Sequence, residues 1–527
     1  MLHRRDFLRL SAAAAAAGVM PAAAKKPNFL IVLADDMGFS DARCYGGDID
    51  TPNLDRLSAG GLRFTQAYST ARCGPSRSCL LTGLYAQQTA SDVMTPGNVP
   101  ASTRFLPEYL KPLGYRTYHS GKWHMRFVTG ERGVGFDHSY TLMDEDRYFT
   151  PRRLLLDAEA LPQPKSEDHY YTTTAIADYT IRFLRDHARE HPSDPFLLYM
   201  APHAPHFPLQ APAADIEKYK DRFAEGWDVA RERKFSRMRR MGLVNGTLAP
   251  LEPNMWTRWN TPDEELFAKI GPGEVTRAVP WNTLTAAQKN FQRTKMAIHA
   301  AMISRVDFEL GRVLDQLRAM DAERDTVVLF LSDNGASSEQ LIRGDGHERD
   351  APPGSARSFL GLGPGWSSCS NAPFRLHKSW VNEGGIASPL IVHWPAGIAG
   401  KGALRHDPCH FVDVLPTLVD LAAGGNAGVS GKSLAPAFRK DGAVRRDCLY
   451  FNHNENHALR AGDWKLISTG KGGPWELYDL ARDRSEQTNL ADRQPERVKA
   501  MADMWESRDR DFAKTREAAP PTAKLRM

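Results

Sequence analysis

Cysteine is scarce in this chain: Cys44, Cys73, Cys79, Cys369, Cys409 and Cys448 are all that 527 residues contain. Six thiols cannot staple a protein of this length, so a disulfide scaffold is excluded, and their spacings match no zinc-ligand pattern. Long apolar runs are missing too. No stretch past the N-terminal leader reaches the ~18 consecutive apolar residues needed to span a bilayer, which argues against stable membrane insertion. Net charge is only +5, too small an excess to point to nucleic acid. Internal repeats and heptads are absent as well, which rules out solenoids and coiled coils. What remains is an ordinary globular composition, 42% hydrophobic and 25% charged, in a chain long enough for two or more units at ~100 to 200 residues per domain.

The leader MLHRRDFLRLSAAAAAAGVMPAAAKK has a basic start, a short apolar run and a small-residue end at Ala22-Ala23-Ala24, the layout of an export signal. With Arg4-Arg5 followed by Asp6, Phe7 and Leu8, it resembles a twin-arginine signal, which carries folded protein outward. Residues 1–24 are therefore expected to be a signal peptide that engages the export machinery, with a periplasmic or secreted mature protein. Oligomeric state has no signature in the sequence.

Two acidic pairs follow two buried strands. Phe29 to Leu33 is apolar and ends at Asp35-Asp36; Val327 to Leu331 is apolar and ends at Asp333-Asn334-Gly335. Near-continuous apolar strands separated by helical patterns such as TTTAIADYTIRFLRDH and AMISRVDFELGRVLDQLRAM point to an α/β fold, a large mostly parallel or mixed sheet sandwiched by helices. Ligands of such sheets sit beyond the carboxyl ends of the strands, where both pairs fall. Taken alone, either pair is common turn chemistry. Three carboxylates and an amide oxygen converging at one edge, however, repel one another unless a cation lies between them, and hard oxygen ligands suit Ca²⁺ or Mg²⁺.

The stretch RCGPSRSCLLTG, residues 72 to 83, decides between these readings. Cys73, Pro75, Ser76 and Arg77, followed by Leu80 and Thr82-Gly83, resemble the signature of the type I sulfatases. Further blocks carry the same resemblance: TPNLDRLSAGGLRFTQAYS before it, then LGYRTYHSGKWHM, LYMAPHAPHFPLQAP, LFLSDNGA and LHKSWVNEGGIASPLIVHWPAGI. The tail ALRAGDWKLI…WELYDLARDRSEQTNLA is similar to that family's C-terminal sheet. The resemblance implies an alkaline-phosphatase-like fold and hydrolysis of sulfate monoesters, aryl or carbohydrate, to alcohol and inorganic sulfate. It implies that a formylglycine-generating maturation enzyme converts Cys73 to 3-oxoalanine (formylglycine), whose hydrated aldehyde attacks sulfur and forms a covalent sulfo-enzyme. Asp35, Asp36, Asp333, Asn334 and the modified Cys73 would hold one Ca²⁺, with Asp333 placed to take the nucleophile's proton. Arg77 and Lys122 would stabilise the diol oxyanion, and His124 would be the base that releases sulfate. Lys378 and His206 would face the leaving oxygen, His206 as general acid, with His203 a secondary candidate.

The resemblance places a catalytic domain at 27–435 and a smaller α+β domain with an antiparallel sheet and a closing helix at 436–527. Two segments are open to more than one reading. DIEKYKDRFAEGWDVARERKFSRMRRMGL is a solvated helix face or a cationic lid, and Trp227, Trp256, Trp259 and Trp281 are candidates for a substrate mouth. The Gly- and Pro-rich stretch from Gly344 to Pro373 is expected to be a long loop ahead of Lys378. Two rival functions stand beside the sulfatase: a phosphonate or phosphate monoester hydrolase of the same superfamily, and a non-catalytic protein that binds sulfated glycan.

Overall fold

The computed structural model describes residues 25–92, 99–100, 102–125, 135–144, 146–343 and 347–517. The expected signal peptide, residues 1–24, lies outside them, as do the last ten residues of the chain. The strands are β1 (Asn28–Ala34), β2 (Leu62–Tyr68), β3 (Arg116–Lys122), β4 (His138–Leu142), β5 (Leu154–Leu156), β6 (Glu159–Ala160), β7 (Phe196–Ala201), β8 (Thr326–Ser332), β9 (Ala387–His393), β10 (Ala403–Arg405) and β11 (Cys409–His410). They form one sheet in the order β10-β2-β9-β8-β1-β7-β3-β4-β5-β6, with β11 alongside β2. Its centre, from β8 to β4, is parallel; β9 runs antiparallel to both neighbours, and β5 and β6 close the far edge antiparallel. The sheet is thus mixed around a parallel core.

All seven residues of β1 are buried, which is why its sequence shows no apolar-polar alternation. Leu30 and Val32 enter the core on one face, whereas Phe29, Ile31 and Leu33 enter that on the other. Helices α1 (Pro52–Gly60), α3 (Thr172–Glu190), α4 (Gly226–Arg240) and α5 (Ala286–Ala319) cover the first face; α2 (Cys73–Thr82) and α6 (Val414–Ala423) cover the second, whose core extends to α7 (Pro495–Glu517) near the C-terminus. Helix α5 starts well before the apolar pattern that betrays it. Thr285 and Gln288 form a capping box there, Thr285 Oγ1 accepting from the Gln288 amide at 3.3 Å and Gln288 Oε1 from the Thr285 amide at 3.0 Å, so two otherwise orphaned amides are satisfied.

The segment open to a lid or a solvated helix face packs one side down and leaves the other, with Glu232, Ser236, Arg239 and Arg240, exposed. Tyr219, Phe223 and Trp227 are buried, and Trp227 meets Trp281 and Trp366 edge-on, with ring centroids 4.7 and 5.5 Å apart. Trp227 and Trp281 are therefore core rather than substrate mouth, a correction with a simple cause: three indoles fill one another's gaps. The stretch before Lys378, expected as a long loop, contains a short helix at Pro364–Ser370.

A second, four-stranded antiparallel sheet contains β12 (Leu449–His453), β13 (Asn456–Ala461), β14 (Trp464–Ser468) and β15 (Glu476–Asp479). One face packs Leu459, Leu466 and Leu477 with Met501 and Trp505 of α7. The other packs Phe451, Ala458 and Ile467 against Tyr68 and Ile386 of the large sheet's edge. Among the described residues no helix is long and apolar enough to cross a membrane.

Candidate active site

Register brings the two acidic pairs together. Ala34 of β1 lies opposite Ser332 of β8, so Asp35-Asp36 and Asp333-Asn334 leave the sheet side by side. A second pairing does the same for two further groups: Gly121 of β3 is opposite Ala201 of β7, and Lys122 and the His203–His206 loop follow directly. At Gly121, φ is +124°, and a Cβ would stand 2.1 Å from the Ala201 carbonyl oxygen, so only glycine permits this approach.

The stretch around Cys73 folds as the start of α2. Arg72 is the extended residue before the helix, Pro75 falls in its first turn, and Gly83 ends it in the left-handed region with its amide on Cys79 O at 3.0 Å. Proline is tolerated in a first turn because its missing amide has no helical partner there. Ser76 Oγ accepts from the Thr70 amide at 3.1 Å and pins the incoming loop. Cys73 stands at the helix N-terminus, where aligned peptide dipoles favour an anion. Its Sγ and carboxylate oxygens of Asp35 and Asp333 lie within 4.8 Å of one another, and an atom each of Asp35, Asp36 and His206 form a second such group.

Four cationic or imidazole groups surround the acids. The Arg77 guanidinium, fully buried, donates to Asp333 Oδ2 at 2.8 and 3.1 Å, to Asp35 Oδ2 at 3.3 Å, to the Lys122 carbonyl at 3.1 Å and to Tyr199 Oη at 3.2 Å. Lys122 Nζ is 2.6 Å from Asp35 Oδ2. Lys378 Nζ donates to Asp36 Oδ2 at 2.9 Å and lies 3.4 Å from Glu339. His206 Nε2 is 3.9 Å from Asp36 Oδ2.

These contacts set the protonation states. Burial pushes the Asp35 carboxyl up, but Lys122, His206, Arg77 and Lys378 outweigh it and hold Asp35 well below the usual range. Burial and the neighbouring Asp35 charge drive Asp333 far up despite Arg77, and burial with Asp35 raises Asp36 against the pull of Lys378. Burial lowers His206, and Lys122 and Lys378 lower it further, so its ring is neutral near pH 7. His206 Nδ1 sits 2.7 Å from the Phe207 carbonyl, which only accepts; the proton is therefore on Nδ1 and Nε2 presents a lone pair.

The donor set fits a hard divalent cation. Asp35 Oδ1 and Asn334 Oδ1 are buried without a hydrogen-bond partner, an expensive condition unless a ligand takes them. Asn334 Nδ2 donates to Asp36 Oδ1 at 2.6 Å, which turns its carbonyl oxygen away from that carboxylate. Oxygen atoms from three carboxylates and one amide suit calcium geometry, whereas no thiolate-histidine array of zinc type is present at the site.

The expected residues thus converge, with two distinctions. His203 is buried, its ring stacked on Tyr148 with centroids 4.7 Å apart and 5.2 Å from the ring of His206; Tyr148 Oη donates to the carbonyls of both histidines at 3.0 and 2.9 Å, which fixes their loop. His124 is exposed, with φ at +50° and its carbonyl 3.3 Å from where a Cβ on Gly74 would stand. Its carbonyl thus borders Gly74, the residue after Cys73.

Arg72 and Glu339 escaped the sequence reading. Arg72 donates to Glu339 Oε1 at 3.1 Å and to Ser379 Oγ at 2.9 Å. Glu339 is buried, also accepts from Trp259 Nε1 at 2.7 Å, and is held well below the normal range because Lys378 and Arg72 outweigh burial. An isolated glutamate five residues past Asn334 carries no spacing signal. Adjacency to Cys73 was the single available clue for Arg72.

Comparison with known proteins gives a consistent picture. Residues 27–425 match a family described as sulfatase, residues 375–511 match the C-terminal family of N-sulphoglucosamine sulphohydrolase, and residues 1–21 match the twin-arginine translocation pathway signal sequence. The chain is 29% identical to an uncharacterized sulfatase of Schizosaccharomyces pombe, over 92% of this chain and 93% of that protein. It is 29% identical to the arylsulfatase of Klebsiella aerogenes, over 80% and 92%. Among solved structures, Ps i-CgsB in complex with k-i-k-neocarrahexaose superposes with a TM-score of 0.67 at 22% identity, over 93% of this chain and 94% of that one. The phosphonate monoester hydrolase of Agrobacterium radiobacter superposes at 0.56 and 18%, over 92% and 96%; both likenesses speak for the fold.

Proposed function

We infer the reaction from one premise: the chain belongs to the sulfatase family, whose match covers most of it. It is a sulfuric ester hydrolase, and the signal at its N-terminus directs it out of the cytoplasm to the periplasm or beyond. The observation that carries the assignment of the site is the junction of Cys73 with Asp35 and Asp333 at the start of α2, bridged by Arg77. In our reading Asp35, Asp36, Asp333 and Asn334, with the modified Cys73, hold Ca²⁺. A maturation enzyme converts Cys73 to formylglycine. When present, the two groups supply a Lewis acid for the sulfate oxygens and a hydrated-aldehyde hydroxyl as nucleophile.

The remaining work falls to side chains already in place. Asp333, whose carboxyl is driven toward the neutral form while three acids face one another, is the group that takes the nucleophile's proton once a cation balances the cluster. Arg77 and Lys122, fully buried and aimed at the same oxygens, hold fixed positive charge where negative charge develops. Lys378 is kept protonated by Asp36 and Glu339, which outweigh burial, so it serves the leaving oxygen as a permanent cation. His206, neutral with Nε2 open, must gain a proton before it acts as general acid; an arriving sulfate's negative charge favours that. His124 is assigned the base of the second step and His203 a supporting role beside His206. We assign 27–435 to the catalytic domain and 436–527 to the C-terminal domain.

Maturation is tested first, by the mass of the peptide spanning residues 72 to 77, which should show an aldehyde in place of the thiol. The matured protein is then expected to release sulfate from 4-nitrophenyl sulfate faster than phosphate from 4-nitrophenyl phosphate. The reverse preference would favour phosphoryl transfer, and no turnover of either would favour a binding protein. For the cation, chelation is expected to lower the thermal midpoint and stop turnover, and added Ca²⁺ to restore both, because a ligand of the native state alone stabilises it. Asn334→Ala removes one neutral oxygen and is expected to weaken Ca²⁺ affinity roughly tenfold by calorimetry; unchanged affinity would remove Asn334 from the ligand set.

A further inference from the structure

A cleft of about 730 Å³ is lined in part by Ser379 and Trp380, which follow Lys378 in the chain. Its wall on the catalytic domain is the segment 254–259 with Ser379 and Trp380; the opposite wall is the β12–β13 turn, 454–456, and the start of the β14–β15 loop, 469–470. The cleft is joined to the catalytic groups by contacts. Trp259 donates to Glu339, the residue that also faces Lys378, and Ser379 accepts from Arg72 and offers its carbonyl to Asn456 Nδ2 at 3.0 Å. The cleft and the catalytic groups thus share Glu339 and Arg72 as common partners.

Its chemistry is specific. Trp256 and Trp259 are 50% and 42% exposed, whereas Trp227 and Trp281 are buried; the exposed parts of the two indoles give the cleft an aromatic wall. The guanidiniums of Arg277 and Arg72 lie over the two rings at 5.0 and 5.1 Å, which fixes their orientation. The charged residues lining the cleft are one of each sign, Arg258 and Glu455, and they pair at 3.1 Å. Arg72 and Arg277 are likewise matched, to Glu339 and Asp263. Every other polar group lining it is uncharged: side-chain amides, hydroxyls, indole N–H groups and backbone.

We propose that this cleft is the leaving-group subsite, and that it selects sulfate esters of neutral carbohydrate: several uncharged pyranose units whose C–H faces stack on Trp256 and Trp259 and whose hydroxyls meet Asn454, Thr469 and the Arg258–Glu455 pair. The proposal rests on the sulfate-ester reading above and adds the substrate class. The volume is that of a drug-sized ligand, larger than one phenol needs, and no unpaired cation lines the cleft among the described residues to reward a second sulfate. The C-terminal sheet, by this reading, is a wall of the substrate site.

The test compares the matured protein on 4-nitrophenyl sulfate, a monosulfated tetrasaccharide of neutral hexoses, and the same tetrasaccharide polysulfated. The monosulfated chain is expected to exceed the polysulfated one in kcat/KM by at least about tenfold. Trp256→Ala is expected to lower the tetrasaccharide to nitrophenyl ratio of kcat/KM by at least about tenfold, mainly through KM, and Trp256→Phe to restore most of it. Equal or better turnover of the polysulfated chain, or an equal loss on both substrates, would overturn the proposal. Calorimetry of the tetrasaccharide with Cys73→Ala protein separates the two readings: binding that Trp256→Ala abolishes supports the cleft even if no ester is turned over, and absence of binding refutes it even if 4-nitrophenyl sulfate is hydrolysed.

Discussion

Cys73→Ala is expected to cut sulfate release by roughly four orders of magnitude or more, the scale of losing a nucleophile on which the rest of a catalytic unit depends. No neighbouring side chain can take its place. The groups around Cys73 are the Asp35 and Asp333 carboxylates, which hold the site's charge, the Arg72 and Arg77 guanidiniums, which cannot be deprotonated in a protein, and Lys378, which Asp36 and Glu339 keep protonated. The fold should survive, because one buried sulfur is lost while Ser76, Pro75 and the Gly83 cap, which shape α2, remain. A thermal midpoint within about 2 °C of wild type, and a continued rise of that midpoint with Ca²⁺, would show an intact scaffold. Sulfate release above about one per cent of wild type would place the nucleophile elsewhere.

Lys465→Met is expected to be the most damaging substitution for stability, at about 3–5 kcal/mol, the range measured when one partner of a buried ion pair is removed. Lys465, on β14, is fully buried and donates to Glu383 at 3.0 Å and Glu486 at 2.7 Å. Arg484 and Tyr68 hold the other oxygen of Glu383, at 2.8 and 3.0 Å, and Asn382 donates to Glu486 at 2.9 Å. This cluster joins the small sheet to the segment that carries Lys378, so its loss should also slow turnover. Without Lys465, Glu383 keeps Arg484 but Glu486 faces it with no cation of its own, and the Glu486 carboxyl, already raised by burial and by Glu383, rises further above its value in the unfolded chain. Such a rise favours the folded state below the unfolded pKa, and the benefit is lost as pH climbs through the folded value. The variant is therefore expected to be less destabilised near pH 5 than near pH 8, relative to wild type in denaturant titrations. A deficit that does not change with pH would mean that the two carboxylates are not what Lys465 balances.

Much of the site was legible because its residues are local to strand ends and one helix start. Apolar runs closed by Asp35-Asp36 and Asp333-Asn334 announced both strands and the edge at which a ligand sits, and the Cys73 to Gly83 stretch was legible through its resemblance to the sulfatase signature; that it is itself a helix beginning at Cys73 is seen in the structure. Other parts left no trace. Asp36, Ala71, His124, Leu376 and Ser379 all have positive φ, a conformation that non-glycine residues reach only when surroundings force it, and nothing in their identity announces it. Trp227, Trp256, Trp259 and Trp281 look alike in sequence, yet two are core and two line a cleft; the difference depends on what lies opposite each indole.

The sequence by itself determined the alternation of buried strands and helices, the export leader and the acidic strand ends, since these follow from local pattern and residue type, whereas the roles expected of Arg77, Lys122, His124, His206 and Lys378 rested on the resemblance to the sulfatase family. Only the tertiary structure decided how those groups are combined. Pairing of β1 with β8 and of β3 with β7 fixes which loops meet, and charges hundreds of residues apart then set each other's protonation. The Glu339 bridge and the two-walled cleft belong to this second kind, because an electrostatic contact depends on distance in space, and a one-dimensional pattern does not contain it.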